Sequence, residues 1–274
     1  RRQARRDRKS VVQGKSVPDR VDLGGRRILK KKTELQTFLE DMPQQRVEVA
    51  VLFSTTRSRN NEDRYPDPVF AEDILRVAKA SGQHTALHLC GQAARGLLES
   101  ASEPVLPWSA ANFVHLAERV QVNVGEDFWV PGPEKYQRAA KLARALGRPV
   151  IIQAREVESW PDVEGFYRGA SRMVPFLFDR SAGAGVEPSG WPGPVPGRLV
   201  GYAGGLGPDN VSELCSWLAE VPGARWWLDM ESRIREEFDN ADTGPGEPPP
   251  ATFVSIEKCR AVMSACERWF RRAF

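Results

Sequence analysis

An incomplete (β/α)8 barrel, the TIM-barrel form of the α/β class, is predicted for this chain by three observations. Short apolar runs alternate with amphipathic stretches from residue 33 onward, the pattern of parallel strands joined by helical crossovers. Polar residues gather at the C-terminal ends of nearly every run, the rim that carries the active site in a barrel. The last two runs deliver a glycine-rich turn, Val200-Gly-Tyr-Ala-Gly-Gly-Leu-Gly-Pro-Asp-Asn-Val211, and an acidic end, Trp226-Trp-Leu-Asp-Met-Glu231, to one mouth. That turn leads into a helix opened by Asp209 or Asn210, and unpaired backbone N–H groups at the positive end of a helix dipole suit a phosphate.

The elements follow in order. Apolar residues at 35, 38 and 39 give a helix over 33–41, closed by Pro43. Val47–Phe53 reads as a strand ending at Ser54, and Asp67–Ala80 as an amphipathic helix stopped by Gly82. Thr85–Leu89 is a strand ending at Cys90-Gly91, with helical material after it up to Glu118. Val120–Val124 is a strand, Pro133–Leu146 a helix and Val150–Ile152 a strand. A shorter helix falls near Asp162–Ala170 and a strand over Val174–Phe178, ending at Asp179. Leu199–Ala203 and Trp226–Leu228 are the last strands, and Val211–Leu218 and Ser255–Phe270 the last helices. Ala182–Gly197 and Asn240–Ala251 are loops by their Gly and Pro content; the first, holding Trp191, is placed to fold over a ligand, and the second reads as a disordered insertion.

Seven strands follow residue 33 and a helix precedes the first of them, whereas a closed barrel has eight strands. The missing strand falls where residues 1–32 stand. That head holds 13 of the 39 basic residues and 3 of the 36 acidic ones, a local net charge of +10, and shows little apolar periodicity. An RNA-binding arm or a transit peptide would have this composition. The strings Lys9-Ser-Val-Val-Gln-Gly-Lys-Ser16 and Val21-Asp-Leu-Gly-Gly-Arg-Arg27 resemble translated sequencing-adapter read-through, so the head is expected to be non-native and 33–274 to form a single barrel domain.

Without the head the net charge is −7, which argues against a nucleic-acid-binding body. No apolar run approaches the roughly 20 residues that span a bilayer. Cys90, Cys215, Cys259 and Cys266 are scattered, without CxxC or zinc spacing, and fit free thiols in a reducing cytoplasm. A barrel lacking a strand has exposed sheet edges and should self-associate, a homodimer being the simplest form.

Residues two apart along a strand share a face. The pairs are Leu52 and Ser54, His88 and Cys90, Gln121 and Asn123, Leu177 and Asp179, and Asp229 and Glu231, with Gln153 ending another strand. Solvent begins at strand ends, which accounts for any one of these; their recurrence points to a site.

In this order the motifs resemble phosphoribosylanthranilate isomerase, a ribulose-phosphate-binding barrel, over most of residues 47–265. Arg64-Tyr65-Pro66 is similar to that family's Ser-Pro-Arg-Tyr turn, Val120-Gln-Val-Asn-Val-Gly125 to its Val-Gln-Leu-His-Gly, and Phe178-Asp-Arg-Ser-Ala-Gly-Ala-Gly185 with Trp191 to its Leu-Asp…Gly-Gly-Thr-Gly…Trp segment. Ala203-Gly-Gly-Leu-Gly-Pro-Asp-Asn-Val211 matches its phosphate loop most closely, and Leu228-Asp-Met-Glu-Ser232 parallels its last-strand Asp-Val-Ser-Ser. The resemblance implies an Amadori rearrangement of a phosphoribosyl compound in tryptophan biosynthesis, by an acid and a base tuned towards neutral pH and without metal or redox cofactor. It implies Asp179 as the acid, Arg64 on the aglycone carboxylate, Gln121, Asn123, Ser181, Trp191 and Asp229 around the substrate, and Gly204, Gly205, Asn210, Ser232 and Arg233 around the phosphate. Asp179 as a loop-ordering carboxylate is the other reading.

The chain departs from the family in four places. The family's base is a first-strand cysteine, which falls in the missing region. His88 and Cys90 share a face, and a thiol beside an imidazole becomes an activated base or nucleophile; a buried cysteine packing as a small hydrophobe is the alternative. Arg233 replaces a glycine, Asn123 a histidine, and Glu231 adds a negative charge that Arg233 or Arg235 must neutralise near a phosphate. Besides the isomerase, a non-catalytic barrel binding a sugar phosphate and an RNA-associated protein using the basic head remain as readings.

Overall fold

The structure, a computed structural model, describes residues 33–43, 47–54, 65–66, 68–100, 114–124, 133–154, 173–181, 185–194, 199–237 and 252–270. Its centre is a seven-stranded sheet in sequential order: β1 (Glu48–Ser54), β2 (His84–Cys90), β3 (Arg119–Asn123), β4 (Val150–Ala154), β5 (Phe176–Asp179), β6 (Leu199–Ala203) and β7 (Arg225–Leu228). Every adjacent pair is parallel. The described helices are α1 (33–41), α2 (Pro68–Ala80), α3 (Gln92–Glu99), α4 (Pro133–Leu146), α5 (Val211–Ala219) and α6 (Ile256–Phe270). The expected helix near 162–170, the head 1–32 and Arg64 lie outside the described residues.

Alternation sorts each strand into two faces. Val51, Phe53, Leu87, Leu89, Val120, Val122, Val150 and Ile152 point outward and join Leu75, Leu97 and Leu142 of the helices in the largest apolar cluster. The opposite face carries Glu48, His88, Cys90, Arg119, Gln121, Asn123, Ile151, Gln153, Leu177 and Asp179, aligned by register pairs such as His88 with Gln121 and Leu52 with His88.

This second face is concave. Arg119 on β3 donates from Nη2 to Glu48 Oε1 on β1 at 2.6 Å, and from Nε to Glu48 Oε2. Its guanidinium carbon also lies 4.6 Å from the ring centroid of Trp227 on β7. Strands in a flat sheet stand about 4.8 Å apart, so side chains four strands away would be separated by about 19 Å. Contact between β3 and β7 therefore requires the sheet to curl into most of a ring. Ile151, Leu177 and Ala203 fill its interior together with Trp227. Gly201 makes room for that ring: a Cβ there would fall 2.3 Å from Trp227 Cε2 and 2.7 Å from Leu177 Cδ1.

Among the described residues β7 and β1 form the two ends of the ladder, and α6 spans the gap with side chains. Val262 and Cys266 pack on Val211 and Cys215 of α5 beside Trp226 and Leu228. Ile256, Cys259 and Met263 pack with Phe38, Leu39, Val47 and Val49 at the β1 side. Arg260 fastens this second contact, pairing with Asp41 at 2.9 Å and covering the Phe38 ring. The end of α1 is held by buried Gln83, whose Nε2 donates to the carbonyls of Leu39, Met42 and Pro43 and whose Oε1 accepts from Val47 N; these are carbonyls a helix terminus otherwise leaves unmet.

Two features differ from the sequence expectation. A small antiparallel ribbon, β8 (Arg235–Glu237) with β9 (Thr252–Val254), flanks the segment read as a loop. Residues 185–194 do not reach over the interior at Trp191. Instead Trp191 packs edge-on against Phe178 and Tyr202, at 5.8 and 5.9 Å between centroids, and Tyr202 donates to Pro192 O at 3.1 Å. Phe178 and Tyr202 face outward, so the segment does a helix's work of covering the sheet.

Replacing Gly201 with alanine should lower the unfolding free energy by about 1–3 kcal/mol through overpacking against Trp227, read as a fall in the urea midpoint at unchanged slope.

Candidate functional site

The mouth of the ring is built at the C-terminal ends of β2 to β7. Asp179 ends β5, is buried, and accepts three hydrogen bonds: Gln153 Nε2 to Oδ2 at 2.6 Å, Ser181 N to Oδ1 at 3.0 Å and Ser181 Oγ to Oδ1 at 2.8 Å. Ser181 Oγ in turn accepts from Gly185 N at 3.3 Å. Asp179 is thus a fixed acceptor that orders the loop after its strand, as the loop-ordering reading expects. Ser181 is engaged in that ordering.

Immediately beside it the chain turns at Gly204 and Gly205, with φ of +98° and +61°, a region in which only glycine is unstrained. A Cβ at Gly204 would lie 3.2 Å from Asp179 Oδ1, and one at Gly205 would collide with Glu187 N at 2.5 Å. The glycine-rich turn and the Asp179 carboxylate are therefore neighbours, as the sequence anticipated. The turn is closed internally by Asn210, whose Oδ1 accepts from Gly207 N and whose Nδ2 donates to Gly205 O, both at 2.9 Å. Asn210 was expected to hold phosphate; its side chain is spent shaping the loop. Ser232 and Arg233 begin a 3-10 turn, Ser232–Ile234, on the other side. A Cβ at Gly185 would fall 2.6 Å from Ser232 Cβ, and one at Gly207 would fall 2.8 Å from Arg233 Cβ. Arg233 reaches Asp209 at 3.0 Å and Glu187 at 3.5 Å, so three loops meet around one half-exposed guanidinium.

On β2 and β3, His88 and Cys90 share the concave face, but the expected imidazole–thiol pair is not formed. Cys90 Sγ donates weakly to the His88 carbonyl at 3.9 Å and accepts from Asn123 Nδ2 at 3.7 Å; Asn123 Oδ1 accepts from Gln121 Nε2 at 3.0 Å. Gln121 Oε1 is the far end of this relay. That atom is buried without a donor. Burial pushes the His88 ring down to about 4, with Arg119 adding to the fall and Glu48 and Glu231 opposing it. At neutral pH it is an uncharged imidazole.

Asp229 follows β7 in phase with Trp227, anchored by its N–H to Tyr202 O at 2.9 Å. Burial is the main cause that pushes its carboxyl up to about 7; the charges of Glu48, Asp179 and Glu231 add to the rise and Arg119 offsets part of it. Glu231 lies 4.0 Å from Arg235, one of the two arginines expected to face it. Trp191, expected near the substrate, is on the far side of the sheet from this group, because it replaces a helix in the outer core.

The sequence reading missed Glu48, Arg119 and Trp227. Their signal was present: Glu48 is in phase with Leu52 and Ser54, Arg119 with Gln121 and Asn123, and Trp227 with Asp229. Extending each two-residue alternation to the start of its strand would have found them.

No family model and no curated protein matches the chain. Solved structures that resemble the chain do so at low identity, and two of them show this. One is phospho-2-dehydro-3-deoxyheptonate aldolase (DAHP synthase) from Thermotoga maritima, with a TM-score of 0.47 and 11% identity, covering 87% of this chain. The chain spans 64% of the length of that aldolase. The other is a protein from Anabaena variabilis described as a candidate sugar phosphate isomerase/epimerase, with a TM-score of 0.39 and 12% identity over 92% of this chain and 94% of that one. Among the described residues no helix is long and apolar enough to cross a membrane.

Asp229 and His88 bind pH to stability in opposite senses. The Asp229 carboxyl is raised in the fold, so its contribution is full below about 4 and is lost as pH rises through about 7. The His88 imidazole is lowered, so its contribution is lost as pH falls from about 6.5 to about 4. Asp229→Asn should therefore be more stable than the parent at pH 8, with the difference shrinking towards pH 4 in thermal melts.

Proposed function

We propose that the chain is an isomerase of the phosphoribosylanthranilate isomerase type, converting a phosphorylated aldose derivative into its ketose form by general acid/base chemistry. The observation that carries this reading is the proximity of Gly204 to Asp179, where a Cβ on the glycine would fall 3.2 Å from Asp179 Oδ1, which sets the glycine-rich turn beside a fixed carboxylate at one barrel mouth. The turn opens α5, whose N-terminal end favours negative charge, and Arg233 stands beside it. The phosphate takes this rim, and the sugar extends towards Asp179 and Asp229.

The geometry supports a division of labour. Asp179, with three donors already on its oxygens, orients a sugar hydroxyl by accepting its proton in a further hydrogen bond. Asp229, pushed to about 7, both gives and takes a proton near neutral pH. Asp229 in its acid form gives its proton to the ring oxygen, the ring opens as a protonated imine (iminium), and the Asp229 carboxylate so formed removes the C2 proton. The C–H electron pair becomes the C1–C2 double bond and the imine electrons move to nitrogen. Return of a proton to C1 and loss of the C2 hydroxyl proton give the aminoketose.

Incubation with N-linked phosphoribosyl compounds in deuterated water tests the reading. Turnover should place deuterium at C1 of the product, and Asp229→Asn should reduce kcat by about 10²–10⁴ while ligand binding persists. Full activity in that variant rejects Asp229 as the proton carrier. A second measurement concerns the turn: Gly205→Ala should abolish thermal stabilisation by inorganic phosphate at millimolar concentration, since its Cβ would drive the 185–187 segment off the loop.

A further inference from the structure

The junction of α5 and α6 holds two thiols that the barrel mouth does not use. Cys215 and Cys266, 51 positions apart, lie side by side in an apolar layer with Val211 and Val262, and neither is exposed. Cys215 Sγ donates to Cys266 Sγ at 3.6 Å. A buried cysteine ordinarily packs as a small hydrophobe, a role that asks nothing of the direction its sulfur takes. Here one sulfur meets the other, and a disulfide requires only that they close to about 2.0 Å.

Two features of the junction prepare it for that bond. The hydrogen bond from Cys215 holds the Cys266 thiol below its ordinary value against the effect of burial, and the thiolate is the form that reacts. Arg268 on α6 donates from Nη2 to Ser212 Oγ at 3.0 Å, which fixes a cation at the junction one turn before Cys215. Its charge acts on Cys215 against the hydrogen bond and the burial that push that thiol up. Both sulfurs are closed to solvent, so an oxidant of about water's size reaches them with least disturbance of α6.

We propose that Cys215 and Cys266 are a reversible redox pair, oxidised by hydrogen peroxide to a disulfide that latches α6 to α5. The Cys266 thiolate attacks one peroxide oxygen. An S–O bond forms, the O–O bond breaks, and the departing hydroxide takes up the proton that Cys266 released and leaves as water. Cys215 Sγ then attacks the sulfur of this sulfenic acid. The S–S bond forms, the S–O bond breaks, and the hydroxyl leaves as water with the Cys215 proton. Two thiols and one peroxide thus yield one disulfide and two waters. α5 begins where the glycine-rich turn ends, and α6 also packs at the β1 side, so the bond ties the turn to the element that spans the seam.

Treatment of the full chain with hydrogen peroxide, then alkylation and peptide mapping without reductant, tests the pairing. Cys215 and Cys266 should be recovered in one linked peptide pair. The melting temperature should rise by about 5–10 °C, and dithiothreitol should return it to its starting value. Cys215→Ala and Cys266→Ala should each lose the rise, whereas Cys259→Ala, on the β1 side of α6, should keep it. A link from either cysteine to Cys90 or Cys259, oxidation of Cys266 to sulfinic acid without a link, or recovery of both as alkylated thiols overturns the pair. A Cys215–Cys266 link that leaves the melting temperature unchanged overturns the latch.

Discussion

The forked pairing of Arg119 with Glu48, with Trp227 against the guanidinium, governs the rest of the molecule. It joins β1, β3 and β7 across the interior, and those strands meet only if the sheet curls into most of a ring. A partly buried ion pair is a weak source of net stability, because desolvation consumes most of its attraction. Its value here is geometric: a planar fork accepts one carboxylate in one orientation, so it fixes the curvature. Curvature in turn sets Asp179 and Asp229 close enough for the charge of one to raise the proton affinity of the other.

Above that pairing, the mouth shows how glycine positions determine function through backbone. Gly185, Gly204, Gly205 and Gly207 are each opposed by an atom that a Cβ would strike or press. Three loops can therefore stack edge to edge, and Arg233 is held where they converge. The side chains expected to grip a ligand, Asn210 and Ser181, instead maintain this stack. The loop's chemistry resides in its shape.

Much of this was legible beforehand. Strands such as Leu199–Ala203 and helices such as Pro133–Leu146 match the expected bounds, because apolar period and Gly or Pro punctuation are local properties. The shared face of His88 and Cys90, and of Gln121 and Asn123, likewise follows from alternation. What failed was non-local. Trp191 was assigned to the ligand, yet the chain between β5 and β6 uses it to roof Phe178 and Tyr202, a substitution visible only once the sheet's outer face is known. A shared face leaves open whether Cys90 meets His88, because two residues on one strand stand too far apart for side-chain contact to be assured, and it is Asn123 on the next strand that reaches the thiol. Glu48 and Arg119 lie at the entrance ends of their strands, 71 positions apart, and no local pattern joins them.

The seam between β7 and β1 has a mechanical consequence. Elsewhere the wall is stitched by backbone hydrogen bonds, which fix spacing and register at once. Among the described residues it is clasped at the seam by the side chains of α6, through apolar packing on both sides and the Arg260–Asp41 ion pair. The bore of such a ring is not set by its ladder alone. It behaves as a split collar whose diameter follows the seating of one helix, so whatever fills the bore and whatever presses on α6 act on the same degree of freedom.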